Sequence, residues 1–189
     1  MKFKWPARKS VVLDESVPKL RVLMVCMGNI CRSPTAEAVL RHKLVQAGLA
    51  PWVEVDSAGT HAGHVGCPPD ERAQRHAQRR GSDMDEQRAR QVRPRDFRDF
   101  DLILAMDLDN LARLQAACPD EACLAKLHRL TEFLPARSSF VGAEAVPDPY
   151  YGGPDGFEHV LDLIESACEG LVHYLHQRLC QPAKGSPSV

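Results

Sequence analysis

The chain has 189 residues, of which 44% are hydrophobic and 26% charged, and its formal net charge is −1. This size and composition are typical of one globular domain, and the near-neutral charge argues against a dedicated nucleic-acid binder. No apolar run approaches the roughly 18 residues that a membrane-spanning helix needs. The seven cysteines are an odd number without the framework of a small secreted domain, so we expect reduced thiols and a cytoplasmic protein.

The first third of the chain passes from a tail into a strand and a helix. Residues 1–19 mix lysines, acids and prolines without periodicity, which predicts a disordered extension. The apolar run at 20–25 predicts a buried strand. Ser33 is then expected to cap a helix that runs to Ala47, where Gly48 ends it.

Strands and helices alternate through the rest of the chain. Further strands are predicted at 53–56, 101–105 and 127–130, and helices at 70–80, 107–117 and 157–179. Residues 135–156, rich in proline and glycine, predict a loop, and residues 181–189 predict a C-terminal tail. Repeated strand–helix units indicate an α/β domain over residues 20–180, with a parallel sheet covered by helices on both faces. Such folds bind ligands at the carboxyl ends of their strands.

A chemically unusual loop follows the first strand, in the stretch VLMVCMGNICRSP. Cys26 and Arg32 stand in a C-x5-R pattern, with a helix start at Ser33. Glycine and asparagine within the loop tolerate the dihedrals that turn successive N–H groups inward, and the helix adds its positive end. A guanidinium supplies a fork of donors for two phosphate oxygens. The pattern predicts a phosphate cup whose lining residues are Met27, Gly28, Asn29, Ile30 and Cys31.

This cup would make Cys26 a nucleophile. Inward N–H groups and the helix end favour the thiolate, and Ser33 can donate a hydrogen bond to the sulfur. Asp148 is the candidate general acid, because Pro147 and Pro149 stiffen the backbone on both sides of it. Tyr150 is expected to line a slot for an aromatic substrate group.

Four stretches of the sequence resemble the low-molecular-weight protein tyrosine phosphatase family. They cover roughly residues 20–180 in the family's order: VLMVCMGNICRSPTAEAVLR, VDSAGTHAGHVGCPPDERA, RARQVRPRDFRDFDLILAMDLDNL and VPDPYYGGPDGFE. The resemblance implies a three-layer sandwich with a central four-stranded parallel sheet. It also implies hydrolysis of phosphotyrosine monoesters through a phosphocysteine intermediate, with no cofactor and no metal.

The resemblance also implies roles for single residues. Cys26 would be the nucleophile, Arg32 the phosphate ligand and Asp148 the general acid. Asn29 would hold the loop shape with support from Ser57. Cys31 would form a reversible disulfide with Cys26 under oxidation, which would protect the nucleophile.

Two positions depart from the family pattern. Gln87 stands where a histidine often supports the loop asparagine, and an amide can hydrogen-bond there but cannot carry charge. Gly63 stands where a tryptophan or tyrosine often forms one wall of the slot. We therefore expect Tyr150 to be the main remaining wall, and a weaker selectivity for aryl phosphates.

The implied partner is a phosphotyrosine-containing protein, and a tyrosine kinase is one candidate. We expect no binding to nucleic acid or to a membrane, and we expect a monomer or a weak dimer.

Three alternative functions stay open. One is a protein-arginine phosphatase, although Ile30 replaces the threonine of that branch. A second is an arsenate reductase, which needs two further cysteines; Cys118 and Cys123 are the nearest candidates. A third is a zinc module at His61, His64 and Cys67, for which no fourth ligand is evident. Nine arginines between residues 72 and 98 form either a solvated face or a basic rim for acidic phosphopeptides.

Overall fold

A computed structural model of the chain describes residues 19–180. The predicted C-terminal tail at 181–189 and all but the last residue of the predicted extension at 1–19 lie outside the described residues. In the described part of the chain, no helix is both long and apolar enough to cross a membrane.

Four strands form one parallel sheet at the centre of the domain. In chain order they are β1 (Leu20–Cys26), β2 (Val53–Gly59), β3 (Leu102–Ala105) and β4 (Leu127–Arg129). Their order across the sheet is β2-β1-β3-β4, and every neighbouring pair is parallel. The first strand is therefore central, and its last residue, Cys26, pairs with Gly59 at the carboxyl edge of the sheet.

Helices connect the strands and follow the last one. They are α1 (Arg32–Ala47), α2 (Glu71–Arg79), α3 (Asp96–Asp99), α4 (Leu108–Ala117), α5 (Glu121–Leu124) and α6 (Pro154–Cys180). Short 3-10 turns lie at Ala50–Trp52 and Leu130–Phe133. Gly48, with a φ of 72°, closes α1 in the left-handed conformation that glycine favours.

Two hydrophobic clusters separate the helices into two layers. Alternate residues of β1, Val22 and Met24 among them, pack with α1, α2 and α6 on one face. Leu23 and Val25 point the other way and pack with α3, α4 and α5. The central strand is thus buried on both faces, and the predicted three-layer sandwich with a four-stranded parallel sheet is confirmed.

The helix boundaries differ from the sequence prediction at the most important place. Ser33 does not cap α1, because the helix begins at Arg32 and its cap residue is Cys31, which makes no side-chain capping bond. The Ser33 hydroxyl is instead used by the preceding loop. The short helices α3 and α5 were not predicted, since four residues are too few to show a helical period.

Candidate active site

The loop between Cys26 and Arg32 turns its backbone carbonyls away from its own interior. The carbonyls of Cys26, Met27 and Ile30 accept hydrogen bonds from the N–H groups of residues 60, 61 and 70. The C=O and N–H of a trans peptide point in opposite directions, so the N–H group that follows each of these carbonyls faces the other side of the loop. The loop therefore has the donor-lined concavity that binds anions.

Asn29 fixes this loop shape. Its φ of 55° makes it the one non-glycine residue in the described chain with a left-handed backbone. Its side-chain Nδ2 donates to Ser33 Oγ at 2.9 Å and to Ser57 Oγ at 2.8 Å, and its Oδ1 accepts from the Arg90 N–H at 2.9 Å. The side chain is buried, so these three bonds satisfy polar atoms that water does not reach.

Behind Asn29, the hydrogen bonds continue to a buried carboxylate. Ser57 Oγ donates to Glu37 Oε2 at 2.6 Å, and Glu37 Oε1 pairs with Arg41 at 2.7 Å. Burial raises the pKa of Glu37, while the Ser57 hydrogen bond and the Arg41 charge oppose that rise. Sequence reasoning missed Glu37, because an acid in the middle of a helix gives no sign that it faces the interior.

The sulfur of Cys26 lies at the base of the loop with two donors. Ser33 Oγ is 3.1 Å from Sγ, and the Asn29 N–H is 3.2 Å from it. Both donors stabilise negative charge on sulfur, as does the N-terminus of α1 a few residues away. The sulfur is buried and ends a rigid central strand, so its position is well defined.

Arg32 connects the loop to two aspartates. Its Nη1 lies 2.6 Å from Asp107 Oδ2, and its Nη2 lies 2.7 Å from Asp148 Oδ2. The guanidinium is buried, while the Asp148 side chain is 43% exposed at the mouth of the site. The predicted nucleophile, phosphate ligand and acid are thus brought together, and their catalytic roles stay predictions.

Asp107 is a second residue that sequence reasoning missed. Its Oδ1 caps α4 by accepting from the Asn110 N–H at 2.7 Å, which leaves Oδ2 for Arg32. The sequence cue, an aspartate at a helix start after the third strand, is fully explained by capping. Only the fold shows that the same carboxylate also orients a buried arginine.

The cleft above Cys26 has a volume of about 160 Å3 and more aromatic lining than expected. Besides the predicted Met27, Gly28, Ile30, Cys31 and Tyr150, it is lined by His64 and Tyr151. Gly63 leaves open space, since an added Cβ would meet nothing within 4 Å. Tyr150 is therefore not the only ring at the cleft, and the His64 ring lies against Gly28, where an added Cβ would be 3.0 Å from its Cδ2.

Gln87 contacts a different part of the site from the one expected. Its Nε2 donates to the Pro34 carbonyl at 3.1 Å, and its amide also acts on the Glu37 carboxylate. Asn29 receives no hydrogen bond from Gln87 within residues 19–180; Arg90 and Ser57 occupy that role. Gln87 therefore contacts the loop only indirectly, through Pro34 at the start of α1 and through Glu37.

A larger cleft in the described chain, about 540 Å3, lies elsewhere. It is lined by Arg21 of β1, by the start of β2, by Arg41 of α1 and by Phe100, which follows α3. It contains no cysteine or other strong nucleophile and lies away from the carboxyl ends of the strands. We therefore place the site at the smaller cleft, where the nucleophile, donors and acid meet.

Gly59 provides a test of how closely the loop is held. A Cβ at this position would lie 2.6 Å from the Met27 carbonyl oxygen, a backbone atom that only a shift of the loop can move. We expect Gly59→Ala to lower kcat/KM by about tenfold or more, because small misplacements of reacting groups are costly. Gly63→Ala is the matched control, since its Cβ enters open space. Steady-state kinetics on an aryl phosphate measure both; equal activity of the two variants would contradict a rigid loop.

These features define a class of protein: an α/β sandwich whose central strand delivers a thiol to an anion cup, opposite an arginine and a carboxylate. This combination of groups is typical of a cysteine-dependent phosphoric monoester hydrolase. The sequence model of the low molecular weight phosphotyrosine protein phosphatase family matches residues 21–181. The chain belongs to this family, whose members are hydrolases.

Individual relatives agree with the family match. A low molecular weight protein-tyrosine-phosphatase of Streptomyces coelicolor is 42% identical over 159 residues, covering 84% of this chain and 95% of the relative. A crystal structure of a protein tyrosine phosphatase from Entamoeba histolytica superposes with a TM-score of 0.79 at 39% identity, covering 85% and 99% of the two chains. Wzb of Vibrio vulnificus, in complex with benzylphosphonate, superposes with a TM-score of 0.70 at 28% identity, covering 82% and 98%.

Proposed function

We propose that this protein hydrolyses phosphotyrosine in proteins through a phosphocysteine intermediate at Cys26. The observation that carries the proposal is the position of the Cys26 sulfur, held by Ser33 and the Asn29 N–H at the base of a donor-lined loop. A phosphoryl group in this loop has the sulfur directly beneath phosphorus, where a thiolate can attack in line. The benzylphosphonate complex of Wzb supports an aryl phosphate as the ligand class.

Arg32 and Asp148 would exchange partners during binding. The Arg32 Nη2 group pairs with Asp148. An incoming phosphate dianion presents two oxygens to the same guanidinium and competes for it. Asp107 keeps the other nitrogen in place, so the arginine retains its orientation while Asp148 is released.

The released carboxyl group would then serve both chemical steps. Asp148 in its acid form donates a proton to the tyrosine oxygen as the P–O bond breaks and the S–P bond forms. The resulting carboxylate then takes a proton from water, which attacks phosphorus and frees Cys26. The backbone of the loop around Asn29 would keep its conformation in both steps, since the Asn29 side chain is held by three hydrogen bonds.

The test is phosphate release from matched phosphotyrosyl and phosphoarginyl peptides, in the presence of reductant and chelator. We expect phosphotyrosine to be the preferred substrate, because Ile30 gives the cleft an apolar wall and no hydroxyl. Preference for phosphoarginine would favour the related arginine phosphatases instead. The substrate protein, proposed to carry phosphotyrosine, and the monomer or weak-dimer state stay predictions.

An arsenate reductase and a zinc module receive less support from the arrangement of the cysteines and histidines. Cys118 and Cys123 pack in the cluster on the opposite face of the sheet from α1, and neither lines the cleft around Cys26. They are not placed to act as the shuttle thiols of an arsenate reductase. Within residues 19–180, no group of three or more His, Cys, Asp or Glu side chains is arranged to hold a metal, and His61, His64 and Cys67 form no such group.

Gly63 leads to a prediction about substrate selectivity. We expect the wild type to show only a modest preference for 4-nitrophenyl phosphate over an alkyl phosphate of similar charge. Gly63→Trp should raise that preference by roughly two- to tenfold, because a ring contact beside the substrate is worth about 0.5–1.5 kcal/mol. The ratio of kcat/KM for the two substrates is the measurement. A strong aryl preference in the wild type, unchanged by Gly63→Trp, would show that His64 and the tyrosines already form a complete slot.

Cys31 leads to a prediction about oxidation. Burial, with the nearby charges of Asp70, Cys26 and Asp148, raises the pKa of Cys31 to about 12, so this thiol stays protonated at neutral pH. Hydrogen peroxide should therefore convert Cys26 to a sulfenic acid first. The Cys31 sulfur would then displace hydroxide, forming the disulfide and releasing water.

Recovery of activity after peroxide measures this protection. The wild type should regain most of its activity on treatment with dithiothreitol, whereas Cys31→Ser should lose activity irreversibly through overoxidation. Cys168→Ser, which changes a buried thiol outside the cleft, is the control. The redox role fails if peroxide inactivates wild type and Cys31→Ser with equal irreversibility.

A further inference from the structure

A third cleft, of about 360 Å3, lies between α2 and the start of α6. Its α2 side presents Arg72, Arg75, His76 and Arg79, and its other side is formed by Gly153 and Phe157. We call it the α2 cleft. Four basic or titratable side chains on one helix, facing an aromatic ring, do not belong to the hydrolytic machinery described above.

Most charges around the α2 cleft are already neutralised, but two are not. Arg80 pairs with three acids of α6, Glu158, Asp162 and Glu165. His76 also pairs with Glu158, and Arg72 pairs with Asp70. The side chains of Arg75 and Arg79 are exposed and make no ion pair or hydrogen bond with any described residue. These two guanidinium groups therefore give the cleft positive charge that no salt bridge within residues 19–180 neutralises.

The α2 cleft adjoins the catalytic cleft through one shared wall. The Arg72 guanidinium lies 5.5 Å from the centroid of the Tyr150 ring and 4.8 Å from that of Phe157. Tyr150 lines the catalytic cleft, and Phe157 lines the α2 cleft. A polypeptide whose phosphotyrosine enters the catalytic cleft would pass its neighbouring residues over Arg72 and towards the free arginines.

We propose that the α2 cleft binds acidic side chains that flank the phosphotyrosine of the substrate protein. This inference rests on the proposed function and adds the class of sequence that the enzyme prefers. Arg75 and Arg79 are four residues apart on one helix and lie on the same face, which suits several carboxylates of an extended acidic segment. Because both groups are exposed, their contribution is a modest gain in affinity and in association rate that salt screens.

The test compares two fluorescein-labelled phosphotyrosyl peptides, one with Asp and Glu on both sides of the phosphotyrosine and one with Asn and Gln in their place. Binding is measured by fluorescence anisotropy on Cys26→Ser protein, so that neither peptide is consumed. We expect the acidic peptide to bind roughly three- to tenfold more tightly at low salt. Sodium chloride at a concentration of several hundred millimolar should remove most of this advantage.

Three further variants in the same background assign the effect. Arg79→Gln should reduce the ratio of the two affinities, and Arg75→Gln/Arg79→Gln should bring it close to one. Arg79 is the cleaner single change, since Arg75 also borders a neighbouring cleft with Glu71 and Asp83. Arg113→Gln is the matched control, because Arg113 lies on α4, across the sheet, and pairs with Asp109.

The outcomes separate this inference from the proposed function. Equal affinities for the two peptides, no detectable binding of the acidic peptide, or a preference that persists in the double variant would each overturn the α2 cleft as a subsite. Turnover of 4-nitrophenyl phosphate by the wild type, measured in parallel, tests the proposed hydrolysis alone. A chain that prefers the acidic peptide but does not turn over the small substrate would keep the subsite and lose the proposed activity.

Discussion

Cys26→Ser is expected to abolish hydrolysis of phosphotyrosyl peptides, with kcat falling by at least about four orders of magnitude. A serine hydroxyl fits the same space, but it keeps its proton where a thiol can ionise, and within residues 19–180 neither hydrogen-bond partner of the Cys26 sulfur is a base. The donors around it, the Ser33 hydroxyl and the Asn29 N–H, are arranged to stabilise an anion on sulfur. The loss of activity should therefore come from the missing nucleophile and not from a change in the fold or in phosphate binding.

Two measurements separate those causes. Cys26→Ser should still bind inorganic phosphate or a phosphonate analogue with an affinity near that of the wild type, because Arg32 and the loop N–H groups are untouched. Its thermal unfolding midpoint should also stay close to that of the wild type. Cys67→Ser, at an exposed thiol, serves as the control for removing a cysteine. Substantial activity in Cys26→Ser would mean that another group attacks phosphorus.

Asp148→Asn is expected to lower kcat for phosphotyrosyl peptides by about 10²- to 10⁴-fold, the usual range for loss of a general acid. An amide can still accept the Tyr150 N–H hydrogen bond that the carboxylate accepts at 3.1 Å, so the acid loop should keep its shape. The amide cannot deliver a proton to the departing oxygen. The defect should therefore depend on how badly the leaving group needs that proton.

A series of aryl phosphates measures this dependence. With leaving groups of low pKa, such as 4-nitrophenol, Asp148→Asn should lose much less activity than with phenol or tyrosine. Asp155→Asn, at the exposed start of α6, is the matched control. Phosphate binding should become tighter in Asp148→Asn, because the anion no longer competes with a carboxylate for Arg32. An equal loss of activity for every leaving group would assign Asp148 to positioning and not to proton transfer.

The sequence predicted much of the fold because its local signals agree. Apart from Arg21 the run before Cys26 is apolar, which suits a strand covered on both faces, and Gly48 ends α1 where a left-handed residue is needed. The C-x5-R loop placed Cys26 and Arg32 at one edge of the sheet. Asp148 lies 116 residues beyond Arg32 in the chain. It was predicted as the general acid from the resemblance and from the stiffness of its flanking prolines, whereas its ion pair with Arg32 was not predicted.

What the sequence did not predict are the side chains with two roles or with unexpected burial. Ser33 was predicted both to cap the helix and to donate to the Cys26 sulfur, and only the second contact is observed, because the helix already begins at Arg32. The contact of Asp107 with Arg32 was not predicted, because capping of α4 already explains an aspartate at that position. The burial of Glu37 was not predicted, because an acid within a helix usually faces solvent. His64 lines the cleft because the loop after β2 folds back over Gly28, and no periodicity reports such a fold-back. Each of these depends on which elements meet in space.

The ion pair between Arg32 and Asp148 has a consequence for inhibitor design. In this pair the Asp148 carboxylate neutralises the positive charge that Arg32 presents to the cleft. An uncharged inhibitor that binds between the aromatic rings therefore gains no attraction from the guanidinium. An anionic inhibitor gains that contact only after separating Arg32 from Asp148, which lowers its net affinity. A compound that instead bridges Tyr151 and the intact pair would hold the acid in its resting position. Such a compound would inhibit without carrying the negative charge of a phosphate mimic.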